Sequence, residues 1–194
     1  MTPLTIAIQA GGKSSRMGTD KSFVPFLGRP MIEVVRAAVE GLGDELILIT
    51  NNPEPYAYLG LPMVADLYPD TGPLGGIYTA LHYANYPHTL MVACDMPWLN
   101  RPLLEYIAGL REEADIVVPR WEKFPEPLHA VYSKACLEPI REKLDAQMYK
   151  ITAFYGRVRL RFVGREEIER FDPDGRSFIN VNTPDDLARQ QSDE

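Results

Sequence analysis

The chain has 194 residues, 45% of them hydrophobic and 24% charged, ordinary globular values that exclude wholesale disorder and argue for one domain. Lys and Arg number 20 against 27 Asp and Glu. The net charge of −7 argues against nucleic-acid binding, which rests on clustered cations, but leaves room for a small anion held by local ones.

Leu4 to Gln9 is a short apolar run entering Gly11-Gly12, the pattern of a buried strand that ends in a glycine loop. After Pro30, the apolar residues Ile32, Val35, Val39 and Leu42 recur at helical steps, closed by Gly43. Glu45 to Thr50 and Pro62 to Ala65 read as strands two and three. Gly72 to Gly76 reads as a loop, followed by a helix over Ile77 to Ala84. Thr89 to Cys94 is a fourth strand, Pro102 to Glu112 a helix, and Asp115 to Pro119 and Leu128 to Tyr132 are further strands. Lys134 to Leu144 is helical, Val158 to Val163 strand-like, and a last helix starts at Pro184 with Thr183 as its cap. Strands alternating with helices predict an α/β fold, a mostly parallel sheet with helices on both faces. Such sheets bind ligands outside the carboxyl ends of their strands, where the unusual residues of this sequence fall.

Four segments carry chemistry. In Ala10 to Lys21, two glycines at the mouth of a loop let backbone N–H groups approach an anion, and Lys13, Arg16 and Lys21 suit a triphosphate. A Walker A loop is excluded because residue 7 is Ala rather than Gly, and the dinucleotide spacing G-x-G-x-x-G is absent. Asp95 follows an apolar strand, placed either to hold Mg²⁺ beside substrate phosphates or to cap a turn. Gly75 and Gly76 permit a close approach, by a ligand or by the sheet. Asn180 and Asn182 put two amides on one side of an extended segment, suited to phosphate, metal-bound water or ribose, and equally to turn and cap roles. His129 reads as a hydrogen-bonded strand histidine, with substrate contact as the alternative. The two cysteines, Cys94 and Cys136, lack zinc spacing and are too few for a disulfide scaffold, so free thiols are expected. No run of about 18 apolar residues and no basic n-region occur, which makes a cytoplasmic location the default, with neither membrane span nor signal peptide.

In order, A-G-G-K-S-S-R-M-G-T-D-K, D-L-Y-P-D-T-G-P-L-G-G-I, A-C-D-M-P, E-P-L-H-A-V-Y and F-I-N-V-N-T-P-D-D-L closely resemble the molybdenum cofactor guanylyltransferases, over residues 6 to about 188. The resemblance implies a single-domain Rossmann-like fold of the nucleotide-diphospho-sugar transferase type. It also implies transfer of GMP from GTP to the phosphate of molybdenum-molybdopterin, with Mg²⁺ as cofactor and pyrophosphate as by-product. By position, Gln9, Ala10, Gly11, Gly12, Lys21, Asp66, Gly75 and Gly76 then bind GTP. Asp95 holds Mg²⁺, Arg16 and Lys21 neutralise the triphosphate, and Asn180 and Asn182 face the pterin or phosphate. Members usually carry an aliphatic residue where this chain has Gln9. The nucleotide-binding Asn after strand two is placed at Asn51, with Thr50 and Asn52 as alternatives. Molybdenum-insertion proteins and apo-molybdoenzymes are the implied protein partners. The competing readings are a CTP-dependent cytidylyltransferase of the same cofactor, a sugar-phosphate nucleotidyltransferase, and a nucleotide-binding carrier without catalysis.

Overall fold

A computed structural model describes residues 2–10 and 21–181 of the chain. In chain order its elements are β1 (Leu4–Gln9), a hairpin of β2 (Pro25–Phe26) and β3 (Arg29–Pro30), α1 (Met31–Val39), β4 (Glu45–Ile49) and β5 (Met63–Val64). There follow α2 (Pro73–Tyr83), β6 (His88–Ala93), α3 (Arg101–Gly109), β7 (Ile116–Pro119), β8 (His129–Ser133), α4 (Leu137–Asp145), β9 (Leu160–Val163) and α5 (Arg165–Ile168). Seven strands form one sheet in the order β5-β4-β1-β6-β8-β7-β9. Every pairing is parallel except those of β8, which runs antiparallel to both β6 and β7. The mostly parallel α/β architecture expected from the alternation of elements is therefore the one observed.

Strand alternation splits the core into two layers. Ile6 and Ile8 of β1 pack with Val35 of α1 and Leu104 of α3, while Ala7 between them faces Ile77 of α2 and Ile140 of α4. All of these side chains are buried. Each buried Val, Leu or Ile among them contributes about 1.5–3 kcal/mol, so β1, buried on both faces, is read from sequence as a mostly apolar run. Among the described residues no helix is long and apolar enough to cross a membrane. Both cysteines are buried thiols outside any disulfide, as expected.

Three features differ from the sequence reading. Helix α2 begins at Pro73, so Gly75 and Gly76 lie in its first turn rather than in a loop. Gly72, at φ 67°, turns the chain, and proline takes the first helical position, where its missing N–H leaves nothing unpaired. The hairpin β2–β3 and the four-residue α5 escaped notice because elements this short carry no periodicity. The helix expected from Pro184 lies outside the described residues.

Candidate active site

The parallel strands β1, β4 and β6 end in register, Gln9 opposite Ile49 and Ala93. The ladder continues one residue further: the Ala10 N–H donates to the Ile49 carbonyl at 2.9 Å, and the Cys94 N–H to that of Gln9 at 3.1 Å. The chain leaves the sheet there, which puts Ala10, Thr50 and Asp95 along one carboxyl edge.

Lys21 lies within electrostatic reach of Asp95 on this edge. Ser22 donates its hydroxyl to the Cys94 thiol at 3.2 Å and accepts from the buried Tyr56 hydroxyl at 2.9 Å. That buried chain pins the residue after Lys21 to the residue before Asp95. Burial raises the Asp95 carboxyl above its ordinary pKa, and the Lys21 ammonium and the residue's own backbone N–H pull it back down. Among the described residues no three metal-ligating side chains cluster. A cation here would depend on the one Asp95 carboxylate and on its ligand's own oxygens. That donor set fits Mg²⁺, which commonly takes one or two protein carboxylates plus substrate phosphates.

At the β4–β5 end, Asn51, Asp66 and Thr79 form one network. The Asp66 N–H donates to Asn51 Oδ1 at 2.8 Å, and Thr79 donates its hydroxyl to Asp66 Oδ1 at 3.1 Å while accepting from the Leu67 N–H at 3.0 Å. Burial raises the Asp66 carboxyl, and the Thr79 bond opposes that rise. Of the three candidates after strand two, Asn51 is the one joined to Asp66. Thr50 is buried and turns inward, accepting from the Asn52 N–H at 3.2 Å.

Gly75 and Gly76 are both buried. A Cβ on Gly76 would lie 2.2 Å from Gln9 Nε2, and one on Gly75 would lie 2.1 Å from Thr71 Oγ1 and 2.8 Å from the Tyr68 carbonyl. Their immediate partners are therefore protein groups, and Gly76 is the residue against which Gln9 lies. Gln9 Oε1 is buried there without a hydrogen-bond partner.

The segment 171–181 closes the edge from the other side. Asp172 accepts from the Arg176 and Ser177 N–H groups at 3.1 and 2.8 Å, Ser177 Oγ accepts from the Asn100 N–H, and Asn100 caps α3 through the Leu103 N–H at 3.0 Å. The Val181 N–H donates to the Asp95 carbonyl at 2.9 Å, which sets the exposed Asn180 one residue from that contact. Gly11, Gly12, Arg16 and Asn182 lie outside the described residues.

His129 departs from its expectation. It opens β8 opposite Val92 and is fully buried, its ring edge-on to Phe178 at 5.0 Å, but neither ring nitrogen has a hydrogen-bond partner among the described residues. Burial lowers its pKa to about 4 against the partial support of Asp172. The folded protein thus favours neutral imidazole, and the sign of the linkage follows. Stability from this group is whole above the unfolded value near 6.5 and drains away as pH falls toward 4. Acid unfolding monitored by circular dichroism should therefore set in at lower pH in His129→Phe than in the wild type. An unchanged acid midpoint would count against this burial.

Two residues that pattern reading passed over also meet at this edge. The Arg176 guanidinium stacks 4.0 Å from the centroid of the Trp98 ring, and Phe26 packs edge-on to Trp98 at 4.8 Å. Trp98 lies three residues beyond Asp95, a proximity the sequence shows for the tryptophan but not for its distant arginine.

A mostly parallel sheet with a carboxylate and a lysine at its carboxyl edge is the architecture of the Rossmann-like nucleotidyltransferases. The chain belongs among them to the family of the MobA-like NTP transferase domain, whose model matches residues 6–159. It is 35% identical to the probable molybdenum cofactor guanylyltransferase of Clostridium perfringens, covering 98% of this chain and 99% of that protein. It is 34% identical to the molybdenum cofactor guanylyltransferase of Desulfosudis oleivorans, over 99% and 96% of the two chains. A crystal structure of molybdopterin-guanine dinucleotide biosynthesis protein A from Archaeoglobus fulgidus superposes with a TM-score of 0.83 at 26% identity, over 97% of each chain.

Proposed function

We propose that this chain transfers GMP from GTP to the terminal phosphate of molybdenum-bound molybdopterin, forming the guanine dinucleotide cofactor and pyrophosphate. The observation that carries the reading is likeness over nearly the whole chain to relatives bearing the guanylyltransferase name. An oxygen of the acceptor phosphate bonds to the α-phosphorus of GTP. The bond from that phosphorus to the α,β-bridging oxygen breaks, and pyrophosphate leaves with the electron pair. The attacking phosphate is already ionised, so no general base is needed. Positioning and charge neutralisation carry the rate.

Lys21 and Arg16 neutralise the triphosphate, and backbone N–H groups of Gly11 and Gly12 add fixed dipoles, the Ala10 N–H being spent on the Ile49 carbonyl. Gln9, Asn51 and Asp66 hold the nucleoside, with Gly76 keeping α2 close behind Gln9 and Gly75 packing its first turn on Thr71. Asn180 and Asn182 face the acceptor. Asp95 would hold Mg²⁺, which when bound supplies Lewis-acid stabilisation of phosphate charge. The charge of Lys21 reaching Asp95 supports this division of labour, since a triphosphate with its cation draws on an ammonium and a carboxylate on one edge. A cytoplasmic setting suits a GTP-consuming protein with two thiols outside any disulfide. Molybdenum-insertion proteins and apo-molybdoenzymes are the protein partners this chemistry calls for.

A nucleotide panel with molybdenum-molybdopterin, scored by pyrophosphate release, tests the reading. Release should be strong with GTP and weak with CTP or ATP, and hexose 1-phosphates should not replace the acceptor. Preference for CTP, turnover of sugar phosphates, or GTP binding without release would each replace the assignment with a named rival.

A further inference from the structure

Net charge is negative, and most arginines among the described residues, such as Arg36, Arg101, Arg159 and Arg161, lie against a carboxylate. Arg176 does not. It is held by the face of Trp98 at 4.0 Å, with the segment that bears it fixed by Asp172 and tied to Asp95 through Val181. Arg176 Nη2 and Trp98 Nε1 are both buried with no hydrogen-bond partner among the described residues. Leaving two such donors unsatisfied, one of them charged, is unfavourable. Both are N–H groups lacking an acceptor, and an oxyanion supplies several. Arginine on an aromatic face keeps its planar fork oriented, an arrangement suited to phosphate.

From this we infer that Arg176, positioned by Trp98, binds the phosphate monoester of the acceptor substrate. The inference rests on the guanylyltransferase reading for the identity of that acceptor, but the anion site stands on its own geometry. The attacking dianion must approach an α-phosphorus already surrounded by negative charge. Lys13, Arg16 and Lys21 belong to the first loop and to the triphosphate, whereas Arg176 lies on the segment that continues into Asn180. A cation there offsets the repulsion on the acceptor's side. It orients the attacking oxygen without taking part in bond exchange.

Indole emission reads the site directly, because a phosphate that engages the guanidinium shifts the charge lying on the Trp98 ring. Titrating the whole protein with methyl phosphate should move the tryptophan emission. The response should vanish in Trp98→Phe and in Arg176→Ala, and pyrophosphate should produce a smaller one. In turnover, Arg176→Ala should raise the KM for molybdenum-molybdopterin about ten- to a hundredfold and leave the KM for GTP within about twofold. Arg176→Lys, which keeps the charge without the fork, should recover part of the loss and serves if the alanine variant fails to fold. An unchanged acceptor KM in both variants, or a rise confined to the KM for GTP, overturns the assignment while sparing the guanylyltransferase reading. An emission response to methyl phosphate in a protein without guanylyl transfer does the reverse, keeping the site and removing the reaction.

Discussion

Asp95→Asn should fold normally and turn over about a thousandfold more slowly, because it removes the carboxylate that would hold the cation of the triphosphate. Losing several kcal/mol of charge stabilisation has that effect on a rate. Asparagine has almost the same shape, and the Asp95 carbonyl that accepts the Val181 N–H is part of the backbone and unaffected. The loss is therefore electrostatic rather than structural. The same substitution should leave the ligand-free protein at least as thermostable as the wild type. Burial raises the Asp95 carboxyl, so the folded state favours its protonated form, and ionisation opposes folding as pH climbs from the ordinary carboxylate range. Removing the charge removes that penalty at neutral pH, and the advantage should shrink as the pH falls and the wild-type carboxyl protonates. Pyrophosphate release and thermal melts across pH give both readouts. Near wild-type turnover in the variant would take Asp95 out of the mechanism.

Gly175→Ala should destabilise the fold by about 2–5 kcal/mol, the sum of two separate penalties. Gly175 sits at φ 65°, in the left-handed region that disfavours a Cβ by about 1–2 kcal/mol. Its Cβ would also fall 2.1 Å from Trp121 Cε2, inside the indole. That ring has little room to retreat, with Phe178 stacked at 6.0 Å and the Arg165 guanidinium over it at 4.6 Å. Overpacking of this kind costs about 1–3 kcal/mol. A double-mutant cycle separates the two: in a Trp121→Leu background the steric part should fall away and the backbone part remain. Because whole domains are stable by only about 5–15 kcal/mol, urea midpoints will resolve the effect. A shift below about 1 kcal/mol would mean that residues 171–181 do not hold this turn in solution. The same turn presents Arg176 and leads to Asn180, so acceptor binding should weaken with it.

The order of strands and helices was legible because each β-strand buried on two faces is an apolar run and each surface helix repeats its apolar residues at helical steps. Leu4 to Gln9 is an example in which sequence and structure share both boundaries. The motifs identified the family for a related reason: glycines, cations and carboxylates clustered after strands mark the carboxyl edge whatever the fold's details. Tertiary structure alone decided which partners those residues take. The motif left Thr50 and Asn52 as alternatives to Asn51, and only the fold joins Asn51, rather than either neighbour, to the Asp66 N–H fifteen positions away. The sequence read Gly75 and Gly76 as a loop, whereas packing against Thr71 and Gln9 makes them the first turn of a helix. It gave His129 a hydrogen bond that the closure of Phe178 over its ring leaves unmade. Arg176 had no motif at all, since its significance lies in a stacking contact with Trp98, seventy-eight positions earlier. Local pattern fixes secondary structure because burial on one face repeats along the chain. Contacts between distant residues have no such period, and they appear only when the sheet brings the loops to one edge.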